Sequence, residues 1–164
     1  MILTKKEIQK EIRSKRLKVT PNRPKNIGPA SLDLTLSNEI RVFKKNKPIT
    51  LSEKTDYKEY TTKKKITSIT LQPGDFILGI TEEKITLPED LVGLLSGRTR
   101  FARLGIIVHA TAFFVQPGVS NRQVLEIKNI SHETMTLKPG LKIAQIIFAR
   151  TEGKAKYTGH FKKQ

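Results

Sequence analysis

The sequence predicts an all-β domain with one short N-terminal helix, and three observations lead there. Short runs rich in β-branched and aromatic residues recur from Ile66 onward. Turn signals punctuate them at Gln72-Pro73-Gly74-Asp75, Leu87-Pro88-Glu89-Asp90, Gln116-Pro117-Gly118 and Lys138-Pro139-Gly140, where proline presets φ and glycine tolerates the positive φ of a tight turn. No long amphipathic helix intervenes, which favours a sandwich, jelly roll or distorted barrel over a parallel α/β sheet. With 164 residues the chain makes one domain, 1–164, and shows no internal repeat.

Each element has its own signal. Thr4-Lys5-Lys6-Glu7 fits a capping box, in which hydroxyl and carboxylate each satisfy a backbone N–H at a helix start. Ile8 and Ile12 then fall one turn apart on one face, so a surface helix docks by a narrow stripe. Pro21, Pro24 and Pro29 forbid helix through the next loop. Beyond them Leu32, Leu34 and Leu36 alternate with Asp33, Thr35 and Ser37, and Ile40 and Val42 resume after a break at Ser37-Asn38, which reads as paired strands. Residues 44–65 are Lys-rich and poor in aliphatics, the pattern of a solvated excursion or irregular edge rather than a domain.

Composition removes several chemistries. There is no cysteine, so disulfides, thiolate zinc sites, iron–sulfur clusters and a cysteine nucleophile are all excluded. The scattered His109, His132 and His160 do not replace them, and the H-x-E and P-C-x-x-C pattern of zinc deaminases is absent. No run has signal-peptide character and no 18-residue apolar stretch occurs, which predicts a cytoplasmic protein off the membrane. The net charge of +16 is uneven: residues 1–65 carry 18 basic and 7 acidic side chains, and residues 66–164 carry 13 and 8. Such a balance attracts phosphates, whether in a nucleotide or a polynucleotide.

Three segments could carry chemistry. Gly97-Arg98-Thr99-Arg100-Phe101-Ala102-Arg103-Leu104-Gly105 places three arginines and a hydroxyl between glycines. Guanidinium forks suit phosphate oxygens, although a solvated basic turn has the same composition. In Val124-Leu125-Glu126-Ile127, alternation sends Leu125 and Ile127 to one face and Val124 and Glu126 to the other; such a glutamate is either the wet side of a strand or a proton-transfer group. The run from Val108 to Gly118 reads as a strand entering a Pro-Gly turn, with His109 structural and Phe113 and Phe114 in the core or one of them lining a base pocket.

Ile27-Gly28-Pro29-Ala30-Ser31-Leu32-Asp33-Leu34, the Gly97 to Gly105 run, His109-Ala110-Thr111-Ala112, Pro117-Gly118 and Val124-Leu125-Glu126 together resemble, in order and spacing, the dCTP deaminase branch of the dUTPase superfamily. The resemblance implies a distorted β-barrel or jelly roll of the dUTPase type, a homotrimer with sites at subunit interfaces, and a nucleotide bound as its magnesium complex without zinc. It implies that Glu126 moves protons between the attacking water and the cytosine ring, that Arg103 stands beside that carboxylate, and that Thr99 places the water where the family has serine. It also implies triphosphate contacts from Arg98 and Arg100, the latter standing where serine is usual.

Further substrate contacts implied by position are Phe101, Ala102, Ala112, Gln116, Val124 and Leu125. The tail resembles the family's nucleotide-closing segment, 155–164, with Tyr157 and Gln164 on the phosphates and His160 where lysine is usual. Gln116 replaces the aspartate that dUTP-hydrolysing relatives use to activate water, and an amide is no general base. The expected reaction is therefore dCTP and water to dUTP and ammonia. A dUTP diphosphatase, or an enzyme doing both steps, is the alternative. A non-catalytic nucleic-acid-binding barrel is a further one; few aromatics, no tryptophan and no basic–aromatic interleaving argue against it.

Overall fold

A computed structural model of the chain describes residues 1–159. Helix α1 (Lys5–Arg13) comes first, then β1 (Lys18–Thr20) and the long β2 (Leu32–Phe43). A short α2 (Tyr57–Tyr60) leads into β3 (Thr61–Lys65), β4 (Ile69–Leu71), β5 (Phe76–Thr86) and β6 (Leu91–Gly97). After α3 (Thr99–Ala102) come β7 (Ile106–Ile107), β8 (Phe114–Val115), β9 (Ser120–Asn129), β10 (Met135–Leu137) and β11 (Lys142–Arg150). The large antiparallel sheet runs β7-β9-β5-β2-β11-β6-β8, with β1 on β5 and β3 on β2, and curls into a half-barrel; β4 and β10 pair separately.

The predicted all-β class with an N-terminal helix is what forms. Leu32, Leu34, Leu36, Leu125, Ile127, Ile146 and Phe148 are at most 1% exposed, so the inward faces of β2, β9 and β11 make one core. Three of the four glycine-bearing or proline-bearing signals turn the chain at positive φ: Gly74 at +85°, Gly118 at +73° and Gly140 at +87°. The fourth closes through the Leu91 N–H donating to the Pro88 carbonyl.

Several local expectations are corrected. Helix α1 starts where predicted, but Thr4 makes no side-chain cap; the Lys5 N–H donates to the Pro29 carbonyl at 2.7 Å instead, so a tertiary contact satisfies that orphan donor. Within the proline loop a single 3-10 turn forms at Pro24–Asn26, because proline suits the first helical position. The break at Ser37-Asn38 does not end β2; the strand continues through it, and its pairing with β5 shifts register between Leu36 and Ile40. Residues 97–105, read as an arginine cluster between glycines, hold the short helix α3.

The segment 108–118 is not a continuous strand either. Only Phe114 and Val115 pair, and the preceding residues leave the sheet. Phe113 and Phe114 are 50% and 46% exposed rather than core, and of the two Phe114 lines the cavity that Glu126 also lines, the alternative the sequence leaves open. The excursion 44–65 ends in β3, which pairs with β2. Among the described residues no helix is long and apolar enough to cross a membrane.

Candidate active site

Glu126 sits in the middle of β9, opposite Leu78 of β5. Alternation does what the sequence predicts: Leu125 and Ile127 are fully buried, while Val124 and Glu126 turn to the other side. The carboxylate is not simply wet. Its Oε2 accepts from the backbone N–H of Ala110 at 2.7 Å and of Thr111 at 2.9 Å, with Ala112 at 3.5 Å. The amides of residues 110–112 turn onto the carboxylate, while the Phe113 carbonyl still accepts from the Leu95 N–H of β6 at 2.7 Å. All three bonds fall on Oε2, so position is fixed through one oxygen while the other takes no part in them.

Glu126 lines a cavity of about 550 Å³, within the range of small-molecule sites. Ala112, Gln116, Val124 and Tyr157, four of the positions expected to contact the nucleotide, share its wall. The tail reaches it by defined contacts: the Ala155 N–H donates to the Glu89 carbonyl at 2.8 Å and the Tyr157 N–H to the Pro117 carbonyl at 3.0 Å. Gly118 permits that crossing, because a Cβ there would stand 3.2 Å from the Lys156 side chain and strain a turn at φ +73°. His160 and Gln164 lie outside the described residues.

The arginine segment is placed elsewhere. Among the described residues, Thr99, Arg100 and Arg103 do not line the Glu126 cavity. The Arg98 Nη1 donates to the Lys142 carbonyl at 3.0 Å, and Nη2 lies 3.3 Å from Asp33 Oδ2. Gln145 Nε2 donates to the Gly97 carbonyl at 3.1 Å, and Ser31 Oγ donates to Gln145 Oε1 at 2.8 Å. The 27–34 motif thus braces the turn that carries α3. Phe101 is half-buried against the core and Ala102 is exposed. Leu125, expected as a substrate contact, keeps its side chain fully in the core, so only its backbone can face a ligand.

Sequence reasoning missed several wall residues. Phe43 and Tyr57 flank the excursion read as solvated, and both line the cavity. Asn121 and Gln123 are buried there too, with Gln123 Nε2 donating to Asn121 Oδ1 at 2.6 Å. Arg122 points into a separate network, donating to the Thr81 carbonyl and to Glu39. Asp56 ahead of Tyr57 was the available signal for α2, since its carboxylate caps the Lys58 N–H at 2.9 Å.

Fold and site define a class: a curled antiparallel half-barrel that presents one strand carboxylate, braced by backbone amides, in a cavity of small-molecule size. The family model for dCTP deaminase-like proteins matches residues 2–151, and the chain belongs to that family. Among curated relatives, the "dCTP deaminase, dUMP-forming" of Mycolicibacterium vanbaalenii is 36% identical over 160 residues, covering 96% of this chain and 84% of its own. That of Dictyoglomus turgidum is 38% identical, covering 99% and 87%. The solved 2'-deoxycytidine 5'-triphosphate deaminase of Agrobacterium tumefaciens superposes with a TM-score of 0.73 at 20% identity, covering 92% of this chain and 48% of that one, so this chain spans about half its length.

Proposed function

We propose that the protein hydrolyses dCTP to dUTP and ammonia, using Glu126 as the group that moves protons. The observation that carries this reading is the carboxylate held by the Ala110 and Thr111 amides at the wall of a cavity of small-molecule size. A water oxygen adds to C4 of the cytosine ring, and Glu126 takes a proton from that water. The carboxyl group gives that proton to N3, then takes the proton of the new C4 hydroxyl and passes it to the departing amino group; the C4–N4 bond breaks, and ammonia leaves as the C4 carbonyl forms. Fixing Oε2 leaves the group rigid during both transfers.

Thr99 and Arg103 complete this site from a neighbouring copy in a homotrimer, because within one chain they stand apart from the cavity. Thr99 places the water, Arg103 stands beside Glu126, and Arg98, Arg100, Tyr157, His160 and Gln164 hold the phosphates. Magnesium arrives with the triphosphate as part of the substrate, and the reading uses no zinc. The enzyme would work in the cytoplasm, on the nucleotide pool.

The relatives' names favour a second reading in which the product is dUMP. Gln116 lines the cavity where that chemistry needs a base, and its amide cannot take the proton. Incubating dCTP and dUTP separately with magnesium, and following ammonia, dUMP and pyrophosphate, decides between them. Ammonia and dUTP from dCTP, with dUTP left intact, is the expected result; dUMP and pyrophosphate from either substrate would establish the second reading.

A further inference from the structure

We propose that a second, smaller cavity on the outer face of β2 and β5 is a binding site for a phosphoanion, separate from the residues that carry out deamination. Its volume is about 190 Å³, below the roughly 300 Å³ at which whole small-molecule sites begin, so it suits a phosphate or pyrophosphate group rather than a nucleoside. Arg41, Lys58 and Lys63 line it, and among the described lining residues Glu39 is the one carboxylate. That carboxylate is already spent. Lys63 pairs with it, and Arg122 Nη1 donates to its Oε1 at 2.7 Å. Arg41 and Lys58 remain with no acidic partner among the described residues.

Arg41 is also held ready. Its Nε donates to Thr61 Oγ1 at 2.7 Å, its Nη2 reaches the Lys58 and Thr61 carbonyls at 3.3 and 3.4 Å, and its guanidinium stands 5.6 Å from the Tyr57 ring centroid. Lys58 Nζ stands 5.9 Å from the same centroid. None of the Arg41 bonds uses Nη1, which can donate to an incoming oxygen at little further entropic cost. Tyr57, Leu78 and Val124 form part of both cavities. The anion could thus be a free phosphoanion or a phosphate group of a nucleotide seated next door.

Calorimetric titration of the full chain with inorganic pyrophosphate tests the site. Saturable binding is expected, weakened about tenfold in Lys58→Ala, which changes an exposed side chain, and likewise in Arg41→Lys, which keeps the charge but loses the fork. Lys138→Ala, at an exposed turn lysine that does not line the cavity, should bind like the wild type. Equal weakening in Lys58→Ala and Lys138→Ala, with Arg41→Lys unchanged, would mean that pyrophosphate follows only the overall charge, and would overturn the proposal, as would unchanged affinity in Lys58→Ala and Arg41→Lys. Repeating the titration of Glu126→Gln with saturating dUTP separates the sources: retained binding identifies a free phosphoanion, and competition identifies the nucleotide's own phosphates. Turnover of dCTP does not enter these readouts, so the site and the deaminase reading stand or fall separately.

Discussion

Glu126 illustrates how much a single carboxylate can organise. Two strong backbone donors on one oxygen fix both the side chain and the loop that supplies them, so the loop's shape is part of the site. Glu126→Ala should release the Ala110 and Thr111 amides, and hydrogen exchange at these two positions should accelerate relative to the strand amides of β9. The glutamate's outward direction was legible from alternation alone, because Leu125 and Ile127 could only face inward. Its amide partners were not, since every residue supplies an N–H and nothing in His109-Ala110-Thr111-Ala112 marks which ones turn. Gln116 yields a sharper expectation: Gln116→Asp restores a carboxylate to the cavity wall, and pyrophosphate release from dUTP should appear or rise, measured against the parent chain.

At the scale of elements, ion pairs tie strands and helix together beside the apolar core. Glu39 on β2 is held well below its ordinary value, at about 2, chiefly by its hydrogen bonds to Lys63 of β3 and Arg122 of β9. A depressed carboxyl contributes stability that is present above its unfolded value of 4.5 and is lost as pH falls toward 2. Denaturant titrations should therefore show Glu39→Gln less stable than wild type at pH 7, with the gap closing between pH 4.5 and 2. Glu11 of α1 is lowered as well: Arg16 and Arg150 bond its carboxylate and outweigh the opposing effect of burial. Ile8 is completely buried beneath the same helix, and Ile8→Ala should cost about 2–5 kcal/mol in equilibrium unfolding.

These elements also show where sequence patterns stop. The stripe of Ile8 and Ile12 located α1, but the burial of Glu11 depends on Arg150, far along the chain. Residues 44–65 read as solvated because lysines dominate them, yet one turn of helix capped by Asp56 carries Tyr57 into the cavity wall. Local composition sees the lysines; only the pairing of β3 with β2 brings that tyrosine inward. Similarly, nothing between the glycines at 97 and 105 marked the short helix α3, which follows an Arg98 anchored to Asp33 and Lys142.

For the whole molecule, the half-barrel explains why one chain looks incomplete as an enzyme. Among the described residues the α3 arginines do not line the Glu126 cavity, and the proposed trimer would set one subunit's α3 against the next subunit's cavity. Light scattering in solution should report three chains. Mixing inactive Glu126→Gln with inactive Arg103→Ala subunits, then refolding them together, should restore a fraction of dCTP turnover, because some interfaces regain both residues. Sites built within one chain would show no recovery.

The central claim rests on Glu126 as the proton carrier of deamination, and ammonia release from magnesium-bound dCTP tests it most directly. Wild-type protein should release ammonia with each turnover, and folded Glu126→Gln should be slower by roughly a hundredfold to ten-thousandfold. Ammonia release by Glu126→Gln at the wild-type rate would contradict the account.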